Sequence, residues 1–305
     1  MTTSLETAST PAVTTYSTRL AALFHAAMVL FKIRIVGLLL FAGAGGAFIV
    51  AGGWPGWGPL LWMTLTGGLA AMGASAINEY LERATDATMR RTKRRPLVTG
   101  AIDRPKWILP VALAMIFVPS LTALPFNPAL SVFSISGALI YAGVYTVWLK
   151  PRTVLNIVIG GLAGTCAVLC GGAAAGQWAH PGVITLGLLV FLWTPTHFWS
   201  LAIMCREDYA KVKVPMLPAV ASLRDSAFWV LAHGIATGFA ALALGVVPGL
   251  GWLYLVPVAL LTLDLWRRCA QLIADPTTAR ARAHFLASNT YLAAILLMIC
   301  IDMVI

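Results

Sequence analysis

Charge is scarce in this sequence. Asp, Glu, Lys and Arg make up 10% of its 305 residues, where soluble domains carry about 25%. With 59% apolar residues and a mean hydropathy of +0.85, a water-soluble fold could not cover the apolar surface. Soluble enzymes and binding domains are excluded, and an integral membrane protein remains. Cysteine is sparse and unpatterned. Cys166 and Cys170 sit four apart in an apolar run, and Cys205, Cys269 and Cys300 stand alone, so neither a disulfide framework nor a zinc spacing is visible. The first ~20 residues are rich in Ser and Thr and lack an apolar h-region, so they read as a tail and not a cleavable signal. Residues 1–30 are expected to form a disordered cytoplasmic tail, and 31–305 a single transmembrane domain.

What is there is apolar runs of the length that crosses ~30 Å of hydrocarbon. They fall at about 34–53, 58–77, 107–125, 129–149, 154–175, 181–204, 227–249, 251–266 and 286–304. The expected fold is all-α, with nine transmembrane helices, the eighth being the shortest. All 21 Lys and Arg fall in the N-terminal segment or in the loops after spans two, four, six and eight, while "GGWPGW" and "PFNP" have none. That bias predicts a cytoplasmic N-terminus and a C-terminus outside. The net charge of +10 follows from this sorting, so nucleic-acid binding is not inferred.

Most of the 11 acids share the basic side. One loop holds Glu79, Glu82, Asp86 and Asp103, the other Glu207, Asp208 and Asp225. Both follow even-numbered spans, so both can face one cavity. Asn78, Glu82 and Asp86 recur every four residues, which on a helix advances ~40° per step and forms one stripe. Oxygen donors in such a stripe suit Mg²⁺, which takes one or two carboxylates plus substrate phosphates. Arg90, Arg91, Lys93, Arg94 and Arg95 follow directly and supply forks for phosphate oxygens. From the residues alone, an ordinary solvated loop and a metal–diphosphate site are equally good readings. In the second loop, Trp193, Pro195, His197, Phe198 and Trp199 lie inside span six. An ionisable group at that depth is costly. His197 can bind a metal, a haem or a polar substituent, or simply hydrogen-bond a neighbouring helix. Asp208, followed by Tyr209, Lys211 and Lys213, can complete a second half-site.

The stretches "MRRTKRRPLVTG", "YTVWLKPRTVLNIVIGGLAG", "WTPTHFWSLAIMCREDYAKVKVPMLP" and "HFLASNTYLAAILLMICID" resemble the UbiA-type intramembrane prenyltransferases, and among them the protohaem IX farnesyltransferases. The resemblance implies a nine-helix bundle around a central cavity. It implies transfer of a farnesyl group from farnesyl diphosphate to a vinyl group of haem B, forming haem O, with Mg²⁺ as cofactor. It assigns Asn78, Glu82, Asp86 and Asp208 to the metal, the three acids being the catalytic set. It assigns Arg90, Lys93, Arg94, Arg95, Lys150, Asn156, His197, Tyr145, Trp193 and Lys211 to substrate. The partners implied are farnesyl diphosphate, haem B, the lipid bilayer of the cell inner membrane and a downstream haem A synthase. The chain departs from the family pattern at Glu82 and Ala84, where Asp is usual, at Pro151, and along Thr165–Ala174. Two alternatives follow: a non-catalytic haem- or lipid-binding relative on the same scaffold, or a prenyltransferase with a quinone or chlorin acceptor. A transporter fits poorly, because it would place polar groups at mid-membrane in paired broken helices.

Overall fold

The computed structural model describes residues 16–102 and 105–305. Residues 1–15 of the expected tail, and Asp103 and Arg104 of the first charged loop, lie outside the described residues. Tyr16–Leu30, placed in the tail by the sequence reading, form a helix, α1. The backbone then turns at Lys32, in the left-handed region with φ 46° and ψ 47°, and enters α2.

Nine long helices follow from α2: α2 (Ile33–Ala51), α3 (Trp57–Thr88), α4 (Pro105–Ala123), α5 (Pro128–Leu149), α6 (Asn156–Ala174), α7 (Pro181–Met204), α9 (Leu223–Leu244), α10 (Trp252–Ala274) and α11 (Thr278–Asp302), with a short α8 (Arg206–Lys211) between α7 and α9. Among the described residues eight of these are long and apolar enough to cross a membrane. The other is α10, which carries Asp264, Arg267 and Arg268 in its second half. Helix α3 outruns its expected end at residue 77, because the hydropathy pattern stops where the charges begin but the helix does not. Glu, Leu, Arg and Ala are good helix formers, and the helix continues through Thr88 before Met89 turns extended. Starts are set by local chemistry: Asn127 caps α5, Ser222 caps α9 and Thr277 caps α11 with side-chain oxygens, satisfying backbone N–H groups that a helix leaves unpaired.

Successive helices pack side by side, and α11 returns to α2 and α7. Outward faces are apolar, as at Leu65, Val118, Phe239 and Leu260, because their solvent is lipid. Helices α2 and α6 approach through glycine: a Cβ on Gly171 would lie 1.7 Å from the Gly43 carbonyl oxygen, the small-residue contact that membrane bundles favour. A Cβ on Gly160 would lie 2.9 Å from the Tyr145 ring, so this glycine makes room for a side chain of the expected site. The last stretch of α5, Ile140–Leu149, is π-helical. The Lys150 N–H bonds the Tyr145 carbonyl at 2.8 Å. Such widened turns recur at functional sites, and here they bring Tyr141, Tyr145 and Lys150 to one end of the bundle.

Candidate active site

The second half of α3 lays Asn78, Glu79, Glu82 and Asp86 against three cations from three other parts of the chain. The Lys32 ammonium donates to Asn78 Oδ1 at 2.6 Å and to the Tyr141 hydroxyl at 2.9 Å. Asn78 Nδ2 donates to Thr146 Oγ1 at 3.0 Å. Lys150 at the end of α5 pairs with Glu82. Arg95 bridges two acids, with Nη1 2.5 Å from Asp86 Oδ2 and Nε 3.5 Å from Glu79 Oε1. Asn78, Glu79 and Asp86 are at most 3% exposed. Carboxylates can be buried this deeply only because each faces a cation. Burial, helped by the charge of Arg95, pulls the Lys32 ammonium down to about 8.

The expected stripe of Asn78, Glu82 and Asp86 is therefore present, but it divides between partners and has a fourth member. Glu79 was not among the expected site residues. On a helix of 100° per residue, Glu82, Asp86 and Glu79 stand ~40°, ~80° and ~100° from Asn78, so Glu79 lies closest to Asp86 and shares Arg95 with it. The signal was in the sequence, hidden by looking only at steps of four. Lys32, Tyr141 and Thr146 were missed too, and nothing local marks them. Ala84, where the family usually has an acid, lies ~240° from Asn78 and is exposed, so this departure falls on the opposite face. Pro151 is also exposed.

The second loop folds onto the first. Asp208, on α8, is buried and lines a hollow of about 530 Å³ with Arg90, Arg91, Met204 and Cys205. Arg90 reaches Glu207 at 3.9 Å, both well exposed. Arg91, which also lines the hollow, interacts electrostatically with Tyr209, Cys205, Tyr145 and Asp86, while the side chains of the acidic stripe are outside that lining. Burial pushes the Tyr209 phenol up to about 12. Lys93, Arg94 and Lys211 are exposed, and none of them lines the hollow. Tyr145 stacks on Tyr141 at 5.8 Å and 12°, and Lys150 Nζ lies 5.8 Å from the Tyr145 ring centroid. Asn156 is buried, donates to the Thr153 carbonyl, and leaves Oδ1 with no partner.

Deeper in α7, Trp193 is buried and His197 stacks against it at 4.3 Å. His197 Nδ1 meets Ser288 Oγ of α11 at 2.8 Å.

Among the described residues no three His, Cys, Asp or Glu side chains converge as a metal site. The donor set still suits a hard divalent cation: it is all oxygen, and Glu79 Oε2 is buried with no partner. Mg²⁺ prefers such ligands.

The profile of the UbiA prenyltransferase family matches residues 38–290. Curated relatives named protoheme IX farnesyltransferase are 38% identical in Metallosphaera sedula, over 88% of this chain and 92% of that protein, and 40% identical in Saccharolobus islandicus, over 88% and 94%. Another in Paramagnetospirillum magneticum, protoheme IX farnesyltransferase 2, is 37% identical over 89% and 94%. In fold, the chain is similar to a structure of digeranylgeranylglyceryl phosphate synthase, with TM-score 0.76 at 16% identity over 92% of this chain and 98% of that one. A UbiA homologue from Archaeoglobus fulgidus bound to GPP and Mg²⁺ matches with TM-score 0.62 at 16% identity, over 90% and 99%. With a profile match over most of its length and relatives well above 30% identity, this multi-pass membrane chain belongs to the UbiA prenyltransferase family.

Proposed function

We propose that the chain transfers the farnesyl group of farnesyl diphosphate to a vinyl group of haem B, releasing diphosphate and forming haem O. Support for the acceptor comes from relatives of that name matched over nearly nine tenths of the chain. The observation that carries the chemistry is the buried acid–cation cluster on α3, in which Arg95, Lys150 and Lys32 face Asn78, Glu79, Glu82 and Asp86.

In this structure Arg95 and Lys150 engage Asp86 and Glu82, and among the described residues no three acids converge. Mg²⁺, taking the place of those cations, would be held by Asn78, Glu82, Asp86 and Asp208. When bound it neutralises charge on the diphosphate oxygens, so that the allylic C–O bond can ionise. The chain's own residues do the rest. Arg90, Arg95 and Lys150 bind the diphosphate with fixed positive charge where leaving-group charge develops. Lys93, Arg94 and Lys211, on the surface, draw the anionic substrate toward the hollow. The stacked Tyr141 and Tyr145 rings offer their faces to the allylic cation. The orphaned Asn156 Oδ1 gives the site a fixed acceptor. The vinyl π electrons form the new C–C bond as diphosphate leaves, and water adds to the resulting cation and loses a proton. That leaves a hydroxyethyl carbon bearing the farnesyl chain. Trp193 and His197 lie on the acceptor side.

The Lys and Arg bias supports an N-terminus in the cytoplasm and a C-terminus outside, and we place the chain in the cell inner membrane. A haem A synthase would take the product onward. The test is purified protein with haem B, farnesyl diphosphate and Mg²⁺, with the pigment mass read before and after. A farnesyl and water adduct of haem is expected. Unchanged haem, with a quinone or chlorin prenylated instead, would overturn the reading.

A further inference from the structure

Two histidine–serine pairs, set in opposite senses, join α7 to α11. Helix α7 contributes His197 and Ser200, and α11 contributes His284 and Ser288. His197 Nδ1 lies 2.8 Å from Ser288 Oγ, and His284 Nδ1 lies 2.8 Å from Ser200 Oγ. A hydroxyl has one proton to give. Ser288 Oγ is aimed at the Phe285 carbonyl oxygen at 2.9 Å, and Ser200 Oγ at the Thr196 carbonyl oxygen at 2.8 Å. All four contacts hold together only if both imidazoles donate from Nδ1. Both rings are then Nδ1–H tautomers, with the lone pair on Nε2. The assignment comes from the network, as tautomers must.

The two histidines differ in what they do with that lone pair. His284 is fully buried, and its Nε2 lies 3.1 Å from Cys269 Sγ, whose thiol donates to it. His197 is half-buried, and among the described residues its hydrogen-bonding is confined to Nδ1. Its ring cannot readily turn. Trp193 stacks on one side at 4.3 Å and 14°, and Phe285 on the other at 4.5 Å and 25°. Trp193 is itself tied by Nε1–H to the Ser288 carbonyl oxygen at 2.8 Å.

An imidazole held in orientation, with one N–H donated and the other nitrogen presenting its lone pair, is how proteins prepare a metal ligand. We propose that His197 Nε2 ligates the iron of the haem acceptor, and that Ser288 is the positioning residue that holds the ring in that tautomer. This rests on the haem reading of the function. His197 stands seven residues before the end of α7 at Met204, about 10 Å along the helix. The iron is therefore held inside the apolar bundle, away from the acids at its charged end.

The test is a titration of ferric haem B into the purified full-length chain without farnesyl diphosphate, read by the Soret band and electron paramagnetic resonance. Wild type is expected to show imidazole-ligated iron. His197→Gly loses that signature, and free imidazole added to the variant restores it, which a purely structural role would not allow. Ser288→Ala weakens haem binding about 10-fold, the usual cost of losing a partner behind a ligand. A His197→Gly protein with the wild-type signature overturns the proposal. So does a variant that melts like wild type but does not respond to imidazole. A wild-type chain that farnesylates haem B without showing imidazole ligation overturns the proposal and leaves the function standing. One that neither binds nor converts haem overturns both.

Discussion

The charged end of α3 and the clasp between α7 and α11 bury polar groups in opposite ways. At the charged end Glu79, Glu82 and Asp86 are set against Lys150 and Arg95. In the clasp, His197, Ser200, His284 and Ser288 are joined by contacts that neutral groups satisfy. An ion pair that loses one member leaves a buried charge, whereas a neutral pair that loses one leaves only an unmet hydrogen bond. The first region is therefore poised to exchange its cations for a metal and an anionic substrate. The second is suited to hold a ring still. Each region also leaves a polar atom unengaged: Glu79 Oε2 at the charged end, buried with no partner, and the Nε2 lone pair of His197 in the clasp.

The contrast breaks most severely at Asp86. Asp86→Asn removes both a proposed metal ligand and the charge facing Arg95. Turnover should fall by about 10³-fold, roughly 4 kcal/mol of barrier; initial rates of haem conversion measure it, and near-normal turnover would refute the assignment. Next comes Arg95→Ala, which strands the Glu79 and Asp86 carboxylates together. It should cost about 3–5 kcal/mol of stability, read by denaturant or thermal unfolding in detergent. Ser200→Ala, the matching change in the neutral clasp, deprives His284 Nδ1 of its partner and should cost only about 1–3 kcal/mol. A loss as large as that of Arg95→Ala would erase the distinction between the regions. The smallest effect is expected from Ala84→Asp. It restores the acid usual at that position in the family, but on an exposed face, and should change stability by no more than about 0.5 kcal/mol. A marked gain in Mg²⁺-dependent rate would show that this face joins the site.

Much of the fold was legible because hydrocarbon thickness constrains it: the expected spans 129–149 and 181–204 nearly coincide with α5 and α7. Hydropathy failed where it stopped reporting helix. It ended α3 near residue 77, although the helix runs to Thr88, and it placed Tyr16–Leu30 in the tail although they are helical. The site was partly legible for a similar reason. Asn78, Glu82, Asp86 and Arg95 lie close in sequence, and helical spacing alone puts the three α3 side chains on one arc. Glu79 was within reach of the same arithmetic. Lys32 was read only as a topological charge, yet its ammonium sits on Asn78 Oδ1.

The sequence by itself determined that this chain lives in a membrane, where most of its spans run, and that its bases and most of its acids gather at one end. Each of these follows from local composition against the thickness and polarity of the bilayer. Only the tertiary structure decided which cation meets which acid and which lone pair stays open. Lys32 and Asn78 are 46 residues apart, Glu82 and Lys150 are 68, and His197 and Ser288 are 91. Contacts at such separations depend on how α3, α5, α7 and α11 pack, through close approaches such as that of Gly160 to Tyr145, and no window along the chain contains both partners.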